Sequence, residues 1–313
     1  MIKILLRRLA ISVPVLIVVS FLTFALVSVT PGGAAYAILG QGATPEALAR
    51  LKSELGLNEP LAVQYLDWLG RTLTGNLGNS LINGQPVGAA ISQRLAPTIS
   101  LLVSAIVVIT VVGVGLGTIA ATRGGPIART IDLLSFGGLA VPNFVLALYL
   151  IPLFALTLRW LPASGYVPFG QSVPEWAASL VLPVIALSFG GVGIVAKQTR
   201  AAIDDVLSRE FVSIMRANGY RRRSIIYKHV LKTAAMPIIA IVGVVFVGLI
   251  SGTILVEAVF AFPGLGGLAV QASGQSDITL LVGVTVIFTL FVIVINYALD
   301  ICYAAVNPKV ATA

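Results

Sequence analysis

The sequence predicts an all-α polytopic membrane protein with six transmembrane helices, and three observations carry that expectation. Only 10% of the 313 residues are charged, while 58% are hydrophobic. A soluble domain carries about 25% charged residues. This chain lacks the polar side chains to cover a globule in water, so an ordinary soluble enzyme is excluded. Six stretches without Asp, Glu, Lys, Arg or His reach the length of about 20 residues that a hydrocarbon core requires. They are 9–30, 95–122, 133–158, 176–196, 233–256 and 278–299. Basic residues, finally, collect in alternate connecting segments. Backbone groups in lipid must be hydrogen-bonded within their own segment, so each run reads as a helix.

The first run follows Lys3, Arg7 and Arg8, and Ala35-Tyr36-Ala37 offers an A-x-A cleavage pattern. A signal peptide has an apolar region of about 7–15 residues. The run here is longer, so it reads as a retained span. Pro14, Pro142, Pro152, Pro183 and Pro237 lie inside the spans, where neighbouring helices satisfy the carbonyls that a proline frees.

Charge gives the orientation. With the N-terminus inside, fifteen of the 20 Lys and Arg residues fall in inside segments and five outside. That bias places both termini in the cytoplasm of a multi-pass membrane protein. The net charge of +8 is therefore a topology signal, and no nucleic-acid partner is expected. The spans hold no ionisable side chain, and Glu257 and Asp300 sit only at span edges. Ion-coupled carriers commonly place acids or histidines within the membrane, so the energy source is expected outside this chain. One cysteine, Cys302, and one histidine, His229, exclude a disulfide and a multi-His metal site. No intramembrane pair suits a hydrolytic enzyme.

The organisation read along the chain is an N-terminus and first span (1–30), an outside segment (31–94), five further helices (95–304) with a cytoplasmic loop at 197–232, and a tail (305–313). In the outside segment, Thr44-Pro45-Glu46 is a helix start: an N-cap, a proline in the first turn and an acid beside it. Gly56 is a stop. A second start follows at Asn58-Glu59-Pro60, with Leu61, Tyr65, Trp68 and Leu69 on one face. These short amphipathic helices either pack on the spans or meet an external partner.

The 197–232 loop is the most informative segment. Asp204 and Asp205 lie near a helix start, and Ile203, Val206, Leu207, Phe211, Ile214 and Met215 recur at spacings of three and four. Gly219 ends that pattern. Arg221, Arg222 and Arg223 open a second helix carrying Ile225, Ile226, Val230 and Leu231. Such an apolar stripe folds onto its own spans, lies on anionic lipid or fills a groove on another protein.

The run Phe211-Val212-Ser213-Ile214-Met215-Arg216-Ala217-Asn218-Gly219, followed by Tyr220, three arginines, His229 and Pro237, resembles the cytoplasmic "EAA" loop of bacterial ABC importer permeases. It is similar in particular to the permeases of dipeptide, oligopeptide and nickel importers. Arg216, Ala217 and Gly219 match that pattern. Met215 stands where alanine is usual and Asn218 where lysine is usual. The likeness continues in Thr30-Pro31-Gly32, in Leu55-Gly56-Leu57-Asn58-Glu59-Pro60-Leu61, in Gly75-Asn76-Leu77-Gly78-Asn79-Ser80 and in Leu161-Pro162-Ala163-Ser164-Gly165-Tyr166. It ends in the Glu257–Gly266 segment with Phe260, Pro263 and Gly264, and in Asp277.

The resemblance implies a type I importer permease fold. It also implies a second homologous permease that completes the pathway, two cytoplasmic ATPase subunits and an extracytoplasmic substrate-binding protein. The 203–219 helix would then be a coupling helix seated in an ATPase groove, with Phe211, Ile214, Met215, Arg216, Ala217, Asn218, Gly219, Arg221 and Arg222 as its contacts. Glu257, Phe260, Pro263, Gly264, Gly266 and Asp277 would belong to an outer loop or gate. Implied cargoes are di- or oligopeptides, and within the same family nickel chelates, glutathione or oligosaccharides. No cofactor is expected in this chain, because no G-x-x-x-x-G-K-[ST] motif occurs. ATP and Mg would be bound by the partner ATPases.

Two patterns read as packing or loop. Gly113-x-x-x-Gly117 and Gly248-x-x-x-Gly252 permit close helix contact within the bundle. Gly264-x-Gly266-x-x-Ala269 fits a dinucleotide fingerprint but lacks the strand–helix setting, so a loop or re-entrant turn is expected. Asn143, Ser188, Ser251 and Thr253 are polar candidates for a substrate pathway, and helix–helix hydrogen bonds explain them equally well.

Overall fold

A computed structural model of the chain describes residues 2–28, 33–40 and 42–306. The expected motif Thr30-Pro31-Gly32 and the 307–313 part of the tail with Lys309 lie outside the described residues, as do the side chains of Lys3, Arg7 and Arg8.

The elements are α1 (Ile2–Ser28), α2 (Gly33–Leu39), α3 (Pro45–Glu54), α4 (Leu61–Leu73), α5 (Val87–Arg123), α6 (Gly125–Ala140), α7 (Asn143–Leu150), α8 (Val173–Leu207), α9 (Glu210–Ala217), α10 (Arg222–Ser224), α11 (Leu231–Val259), α12 (Leu265–Gly274) and α13 (Ile278–Val306). A π-helical turn, Ile151–Thr157, extends α7, and another, Ile225–Val230, joins α10 to α11. Among the described residues, five helices are long and apolar enough to cross a membrane.

The expected third span, 133–158, is not one helix. It is divided between α6 and α7, which bend by 98° and count as a sixth span only if taken together. Pro142 lacks an N–H and forces the preceding residue out of the helical region. Val141 accordingly sits at φ −95°, ψ 117°.

Two compact units emerge. One gathers Ile99–Phe262 with Met1–Leu5 and Val294–Ala313. Its central element is α8, 61% of whose most apolar stretch is buried. Helices α6, α7 and α11 pack against it. Glycines bring the backbones together. A Cβ on Gly193 would lie 2.6 Å from the Ser135 carbonyl on α6, and one on Gly117 would lie 2.4 Å from the Ala196 carbonyl. The Gly113–Gly117 pair is thus the face on which α5 meets α8. The second glycine pair divides, since Gly252 meets Leu187 and Asn143 whereas Gly248 has open space.

The other unit gathers Leu6–Thr98 and Pro263–Ile293. Thr44 caps α3 by accepting from the Ala47 N–H at 3.2 Å, as expected from Thr44-Pro45-Glu46. Gly56, at φ +69°, closes it: its N–H reaches the Ser53 carbonyl and the Leu57 N–H the Lys52 carbonyl, the pairing of a Schellman cap. Tyr65 and Trp68 of α4 are buried with Phe24, Ile278 and Val282, flanked by Leu61 and Leu69. The apolar face of α4 therefore packs on its own chain. The Gly264-to-Ala269 segment, expected as a loop, instead begins helix α12. Leu265, Leu268 and Ala272 pack on Val87, Ile91, Leu280 and Val284, and the Leu265 N–H donates to Thr98 Oγ1 at 2.8 Å.

Candidate functional site

The 203–219 segment is two helices where the sequence pattern predicted one. α8 runs through Ile203, Val206 and Leu207 and stops at Ser208. Arg209 is extended, at φ −73°, ψ 146°, and α9 starts at Glu210. An uninterrupted helix advances about 100° per residue, which would place Val212 about 180° from Ile203. The break resets the phase. Val212 becomes fully buried with Ile203, Val206, Ile225 and Val230, and Met215 and Leu207 pack at the edge of the same cluster. Met215, expected on the docking stripe, therefore helps fasten α9 to its own bundle.

The opposite face of α9 is open. Phe211 is 37% exposed and Ile214 53%, and Arg216, Ala217 and Asn218 are exposed beside them. Gly219 takes φ +79°. Its N–H donates to the Arg216 carbonyl and the Tyr220 N–H to the Met215 carbonyl, a second Schellman cap. A side chain at Gly219 would have room but would strain the left-handed backbone. Arg222 donates to the Thr122 carbonyl in the last turn of α5, where a cation also complements the helix dipole. Arg216, Tyr220 and Arg222 border a cleft of about 180 Å³ with Ile225 and Ile226. Arg221 remains exposed. At the same end of α8, Arg200 pairs with Asp132 of α6 and, at 3.5 Å, with Asp204.

The outer-loop candidates do not form one exposed surface. In the α8 unit, Glu257 and Phe260 are each 1% exposed. The Gly165 N–H donates to the Phe260 carbonyl at 3.0 Å, and the Tyr166 and Phe262 rings meet edge-on at 5.1 Å. Two motifs far apart in sequence, 161–166 and 257–262, are thus one packed joint. In the other unit, Gly264 and Gly266 are buried in the start of α12, and only Pro263 is exposed.

Asp277 is 1% exposed. Its carboxylate accepts from the Leu280 N–H at 3.2 Å, capping α13, from the Leu81 N–H at 3.3 Å and from the Ser80 hydroxyl. It anchors the 75–80 motif to α13, so its visible role is structural where a gate was expected. Asp277→Ala removes a cap worth about 1 kcal/mol and leaves buried donors unsatisfied at about 1–3 kcal/mol each. Loss of at least about 2 kcal/mol is expected, read as a lowered melting temperature of the detergent-solubilised protein. A melting temperature equal to wild type would reject this anchoring.

A third feature was only partly legible. Beside the break between α6 and α7, a cavity of about 400 Å³ is lined by Val141, Pro142, Asn143, Leu187, Ile194, Val244, Val245, Leu249 and four glycines. Of the four polar candidates, only Asn143 lines it. Ser188 and Thr253 are buried, with their hydroxyls on the Ile185 and Ile250 carbonyls.

Comparison with known proteins accords with this architecture. The family model for binding-protein-dependent transport system inner membrane components matches residues 113–312, and the model for their N-terminal region matches residues 1–102. The protein y4tP of Sinorhizobium fredii, named a probable peptide ABC transporter permease, is 38% identical over 306 residues, covering 97% of this chain and 98% of its own. The oligopeptide transport system permease AppB of Bacillus subtilis is 31% identical over 308 residues, covering 97% and 98%. A solved chain of the MetNI methionine ABC transporter, in an inward-facing form, shares the fold with a TM-score of 0.56 at 19% identity, over 69% of this chain and 96% of its own. The chain belongs to the inner membrane components of binding-protein-dependent transport systems.

Proposed function

We propose that this chain is one permease subunit of an ATP-driven ABC importer for di- or oligopeptides, paired with a second, homologous permease. The named activity of its full-length relatives supports the peptide cargo. An external binding protein delivers the peptide, and two ATPase subunits, which hold ATP and Mg, supply the energy. Both termini face the cytoplasm, which the fifteen-to-five distribution of basic residues supports.

The observation that carries the coupling role is the divided face of α9. Val212 and Met215 secure the helix, while Phe211 and Ile214 present apolar surface away from the bundle. A short helix so fixed moves with α8 and α11 as a unit, as transmission of an ATPase closure requires. The exposed Arg216 and Arg221 orient the docking and make it salt-sensitive.

The test uses the purified complex. With Cys302, the sole cysteine, replaced by serine, Ala217→Cys should cross-link to a nucleotide-hydrolysing subunit. Reconstituted complex should take up peptide only with ATP and binding protein present. Uptake by this subunit alone, driven by an ion gradient, would overturn the reading.

A further inference from the structure

We infer that the α6–α7 break is a peptide main-chain contact within the translocation pathway, with Asn143 its hydrogen-bonding side chain. The inference rests on the peptide-importer reading and assigns the part of the cargo that is read. Asn143 is the first residue of α7, and its carboxamide is the only hydrogen-bonding side chain on the walls of the 400 Å³ cavity. Among the described residues no group hydrogen-bonds to that amide. The residue is partly exposed, so its donor and acceptor are open to whatever enters the cavity.

The room is specific. A Cβ on Gly252 would stand 3.1 Å from Asn143 Nδ2, and one on Gly190 would stand 3.8 Å from Asn143 Oδ1. Gly252 on α11 thus leaves a shell at the amide nitrogen, whereas a methyl at Gly190 on α8 would make only ordinary contact with the oxygen. The break adds backbone groups of both polarities. Pro142, the N-cap of α7, supplies no side-chain bond to the first N–H groups, and α6 ends there with the unpaired carbonyls of a helix C-terminus. In secondary transporters, interrupted helices mark binding sites because their free backbone groups line a cavity, and the same backbone chemistry is available at this break.

The complement of one carboxamide, free N–H groups and free carbonyls is another peptide backbone, which offers a donor and an acceptor at each residue. No charged side chain lines the cavity, so it has nothing with which to select a cargo side chain by charge. The site would grip any peptide by its main chain and leave choice among sequences to other subunits.

The experiment compares two cargoes in reconstituted complex at saturating loaded binding protein. One is a tripeptide, and the other is its analogue with the second of its two amides replaced by an ester, which removes one N–H donor. Wild type should move the ester about tenfold more slowly, the effect of one lost hydrogen bond. Asn143→Leu should slow the tripeptide about tenfold and abolish the discrimination, while Asn143→Gln should restore part of both. Gly252→Ala, which fills the shell, should lower discrimination without removing the amide.

Discrimination by Asn143→Leu equal to that of wild type would overturn the inference, as would wild type treating both cargoes alike. Failure of Asn143→Leu and Asn143→Gln alike to co-purify with their partner subunits would mark the residue as structural and also overturn it. If wild type moves neither cargo with ATP and binding protein present, the peptide-importer reading itself fails.

Discussion

Phe211→Asp and Ile214→Asp are each expected to lower ATP-driven uptake by at least about thirtyfold without lowering the melting temperature of the purified subunit. Both side chains lie on the outward face of α9, and neither belongs to the buried cluster that holds the helix. Each places a charge on the small apolar patch proposed to dock the ATPase, and at such a contact a single residue commonly carries 2 kcal/mol or more of binding energy. Val212→Asp is the contrast. Val212 has no exposed surface, and a buried unpaired carboxylate there should unfold the 202–238 cluster before docking is in question. The measurements are uptake in proteoliposomes, co-purification of the ATPase, and thermal unfolding of the subunit. Uptake within twofold of wild type in both exposed-face variants would remove the docking role from α9.

The same segment shows why a periodic reading located the region but misassigned its faces. Positions 203, 207, 211, 214 and 215 fit one continuous helix, and the sequence contains no proline or glycine between Leu207 and Phe211 to announce a stop. The interruption at Ser208 and Arg209 is held by groups that sequence periodicity does not weigh. The Ser208 hydroxyl donates to the Asp205 carbonyl, and Arg209 pairs with Asp205 at 2.7 Å. Burial of Val212 then decides the register. Where the stop signal is local, as at Gly56 and Gly219, sequence and structure agree to the residue.

Long-range pairings were invisible for a different reason. Ser80 and Asp277 are 197 positions apart, and each was legible only as part of its own motif. Nothing in periodicity or charge joins them. The spans were the most legible feature, because an uncharged run of this length has few alternatives to a helix in lipid. Their ends were not. α5 begins at Val87 and α8 continues to Leu207, since helices extend past the bilayer wherever packing continues. The break at Val141 and Pro142 was signalled by the proline, but an intramembrane proline also permits a mere kink. Only the 98° bend separates the two outcomes.

The two G-x-x-x-G patterns pose the same problem in its sharpest form, and they supply the other large expected effect. Gly117→Ala is expected to destabilise the subunit by about 3 kcal/mol, the upper range for overpacking a tight contact, and to abolish recovery of folded protein at physiological temperature. The new methyl would lie 2.4 Å from the Ala196 carbonyl and 2.6 Å from Thr199 Cβ. Neither is the free end of a flexible chain, so α5 and α8 must separate along their seam. Gly248→Ala, the same substitution in the same four-residue pattern, meets nothing within 4 Å. It should be neutral or stabilising by up to about 1 kcal/mol, because alanine is the better helix former. Thermal unfolding of the two variants side by side is the check, and similar melting temperatures would show that α5 and α8 do not meet through Gly117. The difference arises because a glycine in a helix is informative only through what lies opposite it. For Gly117 that is a backbone oxygen of the most buried helix in its unit, and for Gly248 it is the open cavity beside Asn143.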